Sequence, residues 1–308
     1  MVQVLDDADV VALADMAELV EVCRQVTVTA AAGMAATPPR VRVGITPEED
    51  EDVVFTVGGL PDAWGFRAYD TTSGGTDDQL VAVWDRASGS LQGLVVGAAL
   101  GPLRTGALGG VAVDLLAPGD ATSCAVVGAG VQARTQLHAA AAVRPLTDVR
   151  VTSRTPASRM RFAEEVGDEL GLAITPVAQV EDALEDVDIV LMATNATAPV
   201  VPDNALVAGR HVSTVGPKQV GRHELPVAVA DAADLVVSDA PAQVRATPNH
   251  VLAEHPVFNE VLCLGDMAAS GWERPADAAT LYLSTGLAGT EVAVARHLFQ
   301  KARRGRTA

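Results

Sequence analysis

Apolar positions recur at helical spacing over residues 8–32. Val11, Ala14, Leu19 and Val22 form one stripe, and Thr37-Pro-Pro-Arg40 ends the pattern, so a single helix is expected there. Between residues 41 and 97 the period shortens to two. Val53-Val-Phe-Thr-Val57 reads as a strand and Trp64-Gly-Phe-Arg67-Ala-Tyr69 alternates. The runs 79–84 and 91–96 flank Asp85-Arg-Ala-Ser-Gly89, a hairpin turn. Residues 104–116 return to a helical repeat. From residue 121 short apolar runs alternate with helical stretches, with strands expected at 124–127, 149–152, 189–193, 211–215, 235–238 and 281–284. A last helix follows at about 287–302 and is expected to return to the N-terminal part. This alternation predicts an α/β fold: a Rossmann-type doubly wound parallel sheet beside a smaller α+β domain. Leu116-Ala-Pro-Gly-Asp120 carries the turn residues of a boundary.

The first strand of the second half runs into Gly128-Ala129-Gly130-Val131-Gln132-Ala133 and then a helical pattern. Gly128 permits a tight turn, and Gly130 has no side chain to hold a pyrophosphate away. Ala133 lets the helix pack on the strand, and the helix N-terminus faces the phosphates. Without a ligand, the same residues make a close strand–helix turn. In such a unit the tip of the second strand reads the adenosine ribose, and an acidic residue there selects NAD. Here the tip is Ser153-Arg154-Thr155. With no carboxylate, and an arginine able to meet a 2′-phosphate, NADP(H) is expected to be preferred over NAD(H), which stays possible. Thr194 and Asn195 end the 189–193 strand, where ribose and nicotinamide would pass. Ser213 and Val215 precede the loop expected beside the nicotinamide, and Thr285 and Gly286 are expected near its carboxamide.

A net charge of −17 argues against nucleic-acid and anionic-membrane partners, both of which need a basic face. No run reaches the ~18 apolar residues of a spanning helix, and the acidic Met1-Val-Gln-Val-Leu-Asp-Asp7 is unlike a signal peptide. Three well-separated cysteines (Cys23, Cys124, Cys263) suit a reducing, cytoplasmic setting. No Cys/His spacing points to a metal. Three arginines stand out by context: Arg40 after Pro-Pro, Arg67 in an alternating strand, and Arg104 opening a helix in Gly101-Pro-Leu-Arg-Thr-Gly106. Guanidinium groups hold carboxylates through paired hydrogen bonds, so a small carboxylate substrate is expected, although surface arginines are usually solvated.

Trp64-Gly-Phe-Arg67, Leu103-Arg-Thr-Gly106, Val127 to Arg134, Asp188 to Asn195, Val215-Gly216 through Glu224-Leu225, and Ser284-Thr-Gly-Leu-Ala288 together resemble the ornithine cyclodeaminase/mu-crystallin family over nearly the whole chain. The resemblance implies a homodimer, with residues 1–117 plus 286–308 as a substrate/dimerisation domain and 118–285 as an NAD(P)-binding Rossmann domain. It also implies hydride transfer between a nicotinamide and the carbon–nitrogen bond of an imino or amino acid. By position, Arg40 and Arg104 match family arginines that bind the substrate carboxylate. Two positions depart from the pattern: the family's strand lysine is Arg67 here, and an aspartate of the cyclodeaminases aligns with Lys218. Ornithine cyclodeamination, a deaminating lyase activity, is therefore the less favoured reading.

The expected enzyme is an imine reductase or amino-acid dehydrogenase, with Arg40, Arg67 and Arg104 holding the carboxylate. Arg67 is expected to be a poor proton donor, its pKa staying above about 12. A ketimine already protonated on nitrogen is expected to need little acid catalysis, whereas reduction of a ketone would need a donor, for which Lys218 is the candidate, its ammonium made more acidic by neighbouring arginines. Solvated-loop lysine is the alternative, and His223 is a weaker candidate. A non-catalytic NADPH-binding protein is the rival from another class. Substrate side-chain specificity is expected from residues 41–44 and 70–75, where Gly74-Gly75 suggests mobility.

Overall fold

The computed structural model describes residues 2–45, 52–70 and 79–305. Residues 71–75, and with them Gly74-Gly75, lie outside that set. The chain divides into two compact units, Met1–Arg104 with Gly286–Ala308, and Thr105–Thr285.

The first unit is built on a six-stranded sheet in the order Gln3–Leu5, Leu91–Val96, Leu80–Asp85, Ala63–Asp70, Asp52–Gly59, Val41–Gly44. Only the pair Gln3–Leu5 with Leu91–Val96 is parallel. Strand alternation sorts the side chains. Val54, Thr56, Ala63, Arg67, Val81, Val83 and Val95 point to the buried side, where helix Thr290–Gly305 packs, with helix Met16–Ala31 against that helix. Glycines allow helix Thr290–Gly305 to come close: a Cβ on Gly93 would lie 2.6 Å from Phe299, and one on Gly65 3.2 Å from Val292. The opposite sheet face is aromatic, with Trp64 stacked on Trp84 at 4.5 Å and Phe66 at 6.0 Å from Trp84. Trp64 is 42% exposed and Val57 46%.

The helix expected over 8–32 is two helices, Asp7–Leu13 and Met16–Ala31. Asp15 accepts a hydrogen bond from the Glu18 amide and starts a new N-terminus, so the chain is extended at Ala14 (ψ 130°). Strand Gln3–Leu5 was not expected; three residues are too few to establish a period.

The second unit is an eight-stranded, all-parallel sheet ordered Leu262–Cys263, Leu235–Ser238, Thr280–Leu283, His211–Thr214, Ile189–Met192, Ser123–Val127, Asp148–Thr152, Ile174–Pro176. The six expected strands are present within a residue at each end. The two further strands are short and lie at the edges. The chain winds outward from Ser123–Val127 to one edge, then returns to Ile189–Met192 on its other side. The C-terminal ends of those two strands therefore form a topological switch point, where such sheets bind ligands. Helices cover both faces. Leu137, Ala140, Val151 and Phe162 fill one core layer, and Met192, Val212, Leu252 and Leu281 the other.

Arg210, Arg144 and His211 of this unit find hydrogen-bond partners inside the sheet and at its N-terminal edge. Arg210 gives its guanidinium to the carbonyls of Val187, Ala205 and Leu184 at 2.8–2.9 Å. Arg144 binds the Pro118, Val113 and Asp114 carbonyls past the end of helix Leu100–Leu116. His211 is fully buried between Thr280 Oγ1 (2.8 Å) and Ser213 Oγ (3.0 Å). Thr280 already donates to the Leu116 carbonyl, so its oxygen accepts from His211 Nδ1–H, and Nε2 accepts from Ser213. Burial, reinforced by Arg274 and Arg144, holds the imidazole down at about 3.

Candidate active site

A cleft of about 650 Å³ opens at the switch point of the second unit. One wall is the turn after Ser123–Val127. Gly128 has φ +114°, and a Cβ there would overlap the Ala193 carbonyl oxygen, so this turn needs glycine. Gly130 has ordinary dihedrals (φ −96°), and no atom lies within 4 Å of where its Cβ would stand. The open space there belongs to the cleft. Helix Val131–Val143 begins at Gly130 with no side-chain cap, leaving its first amides for an anion. Ala133 is buried against the sheet.

The far wall is the tip of Asp148–Thr152. Ser153, Arg154, Thr155 and Ser158 line the cleft, and no lining residue is acidic. Thr155 caps helix Pro156–Leu170, accepting from the Ser158 amide and donating to Ser158 Oγ, and Arg154 is exposed. Thr194 and Asn195 form the third side. Of the twelve residues assigned to a cofactor from sequence, Gly128, Ala129, Gly130, Ser153, Arg154, Thr155, Thr194 and Asn195 border this one cleft. Val131 is exposed just beyond it, Gln132 is half-buried and Ala133 lies behind the turn. Val215 stands off the cleft, its amide bonded to the Met192 carbonyl.

Glu224 was quoted only as part of a motif, yet it organises the neighbouring strand ends. It is fully buried and accepts from Thr194 N (2.7 Å), Thr194 Oγ1 (2.8 Å), Thr214 Oγ1 (2.6 Å) and Gly216 N (2.6 Å). Four donors on one carboxylate fix the loops after Ile189–Met192 and His211–Thr214. Lys218 follows in a two-residue strand and is 9% exposed. Its Nζ donates to the Gly216 carbonyl (2.9 Å) and the Ser284 carbonyl (3.1 Å), tying two loop ends together. His223 donates from Nδ1 to the Leu225 carbonyl at 2.8 Å. Thr285 donates its amide to Asp239 at 2.9 Å.

The first unit gathers the three arginines. Arg104 Nη2 lies 3.1 Å from Glu291 Oε1, and Arg67 Nη1 lies 3.8 Å from the same oxygen. Arg40 reaches the same place: the position of a Cβ on Gly286 is 2.7 Å from Arg104 Nη1 and 3.3 Å from Arg40 Nη2. Gly286 has φ +88° and Gly101 stands 2.6 Å from Arg67 Nη2 by the same measure, so both glycines make room for guanidinium groups. Arg67 also donates to Gln79 and stacks over the Tyr69 ring at 4.2 Å. Arg67 and Arg104 are 7% and 6% exposed. The expectation that Arg67 stays above about 12 is corrected here: burial, then Arg104, brings it down to about 10. It remains charged near neutral pH. Burial alone would raise the Glu291 carboxyl, but Arg104 and Arg67 outweigh it and hold it below the ordinary carboxylate value.

A model of the ornithine cyclodeaminase/mu-crystallin family matches residues 2–306. The chain belongs to that family. A Delta(1)-pyrroline-2-carboxylate reductase of Bacillus cereus is 31% identical over 238 residues, covering 74% of this chain and 72% of its own. An L-lysine cyclodeaminase of Streptomyces rapamycinicus is 36% identical over 166 residues, 53% of this chain and 47% of its own. The structure of Thermococcus litoralis Delta(1)-pyrroline-2-carboxylate reductase, in complex with NADH and L-proline, gives a TM-score of 0.87 at 27% identity. That likeness covers 99% of this chain and 98% of the other.

In this member of the ornithine cyclodeaminase/mu-crystallin family, sequence reasoning passed over Glu291 and Gln79. Glu291 does carry a signal. It is an acid in a run of small and apolar residues, Gly286-Leu-Ala-Gly-Thr-Glu291-Val-Ala-Val294, at a helix start that is otherwise buried. A lone acid at such a place needs a cation beside it. Gln79 carries no comparable signal.

Proposed function

We propose that the chain is an NADP(H)-dependent oxidoreductase acting on the carbon–nitrogen bond of a small imino or amino acid, of the ketimine reductase or amino-acid dehydrogenase type. The oxidoreductase class follows from the family and from the reductases among its relatives. The substrate class is carried by one observation: the buried Arg67 and Arg104 and the half-buried Arg40 converge in the first unit. Guanidinium groups brought out of water together at that cost are suited to a carboxylate.

The second unit suits a dinucleotide. Gly130 leaves room for a pyrophosphate over uncapped helix amides, and the absence of an acid near Ser153 and Arg154 supports the 2′-phosphorylated form. When bound, that cofactor supplies a hydride. Arg40, Arg67 and Arg104 orient the substrate through its carboxylate, which fixes the imine carbon relative to the rest of the protein. Reduction at that carbon would leave the former C=N π pair on nitrogen as a lone pair. A protonated ketimine needs no further acid for this step. We assign the following proton to Lys218, whose ammonium is held by two carbonyls, and Glu224 keeps the adjoining loop in place.

A homodimer in the cytoplasm completes the proposal. The aromatic sheet face, with Val41, Val43, Val57 and Trp64 exposed, suits a second copy of itself, and no disulfide joins Cys23, Cys124 or Cys263. No helix among the described residues is long and apolar enough to cross a membrane. A second reading, binding without turnover, is favoured by the way Lys218 is tied to main chain, an arrangement that serves loop structure as well as chemistry.

The test is NADPH oxidation by the purified protein against pyrroline-2-carboxylate, piperideine-2-carboxylate, and pyruvate or glyoxylate with and without amines, with NADH as control. Turnover of an imino acid with NADPH supports the proposal. Tight NADPH binding with no turnover would move the assignment to the binding protein.

A further inference from the structure

Glu291 stands in the first turn of helix Thr290–Gly305 and is 2% exposed. Its Oε1 faces Arg104 at 3.1 Å and Arg67 at 3.8 Å, and the Thr56 hydroxyl lies 3.4 Å from the same oxygen. The carboxylate therefore meets a hydroxyl from a separate element, strand Asp52–Gly59, as well as two guanidinium groups, while the Thr290 hydroxyl of its own helix donates to the Leu287 carbonyl at 2.7 Å. An acid kept only to balance charge would not need that fixing. Two guanidinium groups buried this close repel one another, and each must also be kept at one angle to present a fork to a ligand.

We propose that Glu291 is a positioning residue of the carboxylate site, acting through Arg104 and Arg67. It lowers the repulsion between them and fixes the edges they turn to a substrate carboxylate. The inference rests on the reading that these arginines receive that carboxylate. Glu291 itself does not touch the reacting atoms.

The charged and titratable groups around Arg67 give a signature that a purely structural role lacks. They are Arg104 from helix Leu100–Leu116, Arg40 ahead of strand Val41–Gly44, Tyr69 on its own strand, and Glu291. Arg104 and Arg40 lower the Arg67 pKa, and Glu291 raises it. Removing the Glu291 charge must lower it further, so the alkaline limb of kcat/KM should move toward neutral pH.

The experiment compares the full-length wild type with Glu291→Gln, Thr56→Val and Arg104→Ala, using pyrroline-2-carboxylate with NADPH. Glu291→Gln should raise KM for the imino acid about tenfold, the scale of one charge-assisted hydrogen bond. The kcat and the KM for NADPH should hold within about threefold, and the alkaline limb should shift down. Thr56→Val, a near-isosteric change, should raise the same KM in the same direction by about twofold to fivefold. It decides the matter if Glu291→Gln does not fold. An unchanged imino-acid KM in both variants overturns the proposal. So does a parallel loss of kcat, both KM values and melting temperature with an unmoved pH limb, which is the mark of general damage. If Arg104→Ala raises KM while the other two leave it alone, only this inference fails. If Arg104→Ala leaves KM unchanged, the carboxylate-site reading itself fails.

Discussion

Gly128 and Gly130 sit two residues apart in one motif, yet the structure predicts opposite costs for the same substitution. At Gly130 alanine meets nothing within 4 Å and keeps φ at −96°, so the fold should barely respond. The change in N-cap residue costs at most about 1 kcal/mol. The added methyl does occupy the space proposed for the pyrophosphate. Displacing one phosphate from the helix amides removes a hydrogen bond to a charged group, about 1.5–3 kcal/mol, or roughly 10-fold to 150-fold in Kd. At Gly128 alanine would be forced to φ +114° and would overlap the Ala193 carbonyl. Backbone strain of about 1–3 kcal/mol adds to the displacement of the neighbouring strand end. Gly128→Ala should therefore lose stability as well as affinity. The assay is NADPH titration by fluorescence alongside urea unfolding of both variants. Gly130→Ala with wild-type NADPH affinity would refute the argument, because the phosphates would then pass elsewhere. An equal loss of stability in both variants would refute the geometric distinction between them.

Arg104→Ala should raise KM for the imino acid by about 10-fold to 150-fold, the value of one or more hydrogen bonds to a charged group, with little change in NADPH affinity; steady-state kinetics reads both. Arg154→Ala should weaken NADPH about tenfold and leave NADH unaffected, since only the former carries the 2′-phosphate; comparing the two titrations checks it. Lys218→Met should lower kcat about 100-fold or more at constant NADPH affinity if the lysine moves a proton. A fall in melting temperature with kcat preserved would leave it only the loop-tying role. His211 has its folded pKa depressed to about 3 from 6.5, so it stabilises the neutral-pH fold fully above about 6.5, and that contribution is lost as pH falls toward 3. By about pH 4 the loss should reach roughly 3 kcal/mol, and His211→Gln should unfold with a visibly shallower acid dependence in the same urea series.

What the sequence showed most clearly was whatever repeats. Strands at 124–127, 149–152, 189–193, 211–215, 235–238 and 281–284 were readable because buried parallel strands are continuous apolar runs between turn residues. Helix 8–32 was misread because the apolar stripe continues through Ala14 to Leu19, and the Asp15 side chain, by accepting from the Glu18 amide, divides it. The cleft was legible for a different reason. Glycine at 128 and open space at 130 answer backbone demands that local sequence must state. The arginine site was legible only in part. Arg40, Arg67 and Arg104 were singled out, but Glu291 lies 187 residues beyond Arg104 and Gln79 twelve beyond Arg67. Long-range pairing of charges leaves no period. The fall of Arg67 to about 10 depends on burial among such partners, which no local pattern reports.

The buried and half-buried cations differ in what their donors face. Arg210 spends all three guanidinium nitrogens on main-chain carbonyls, and Arg144 and Arg274 bind several carbonyls each around the ends of strands and helix Leu100–Leu116. Such a residue closes backbone that would otherwise be orphaned, and a ligand has little to displace there. Arg144 adds the Asp114 carboxylate at 2.8 Å to its carbonyls, whereas Arg67 and Arg104 meet side chains, a carboxylate and a side-chain amide. Side chains can turn or be substituted without breaking a sheet, so a carboxylate partner sets a guanidinium where a second carboxylate can join it. Lys218, on two carbonyls, resembles the first group in its bonding, yet it stands at the C-terminal edge of the parallel sheet, where this fold class binds ligands. Its bonding argues for structure and its position for chemistry. The Lys218→Met comparison of kcat against melting temperature is therefore the measurement that separates an ammonium that only holds two loops from one that also gives up a proton.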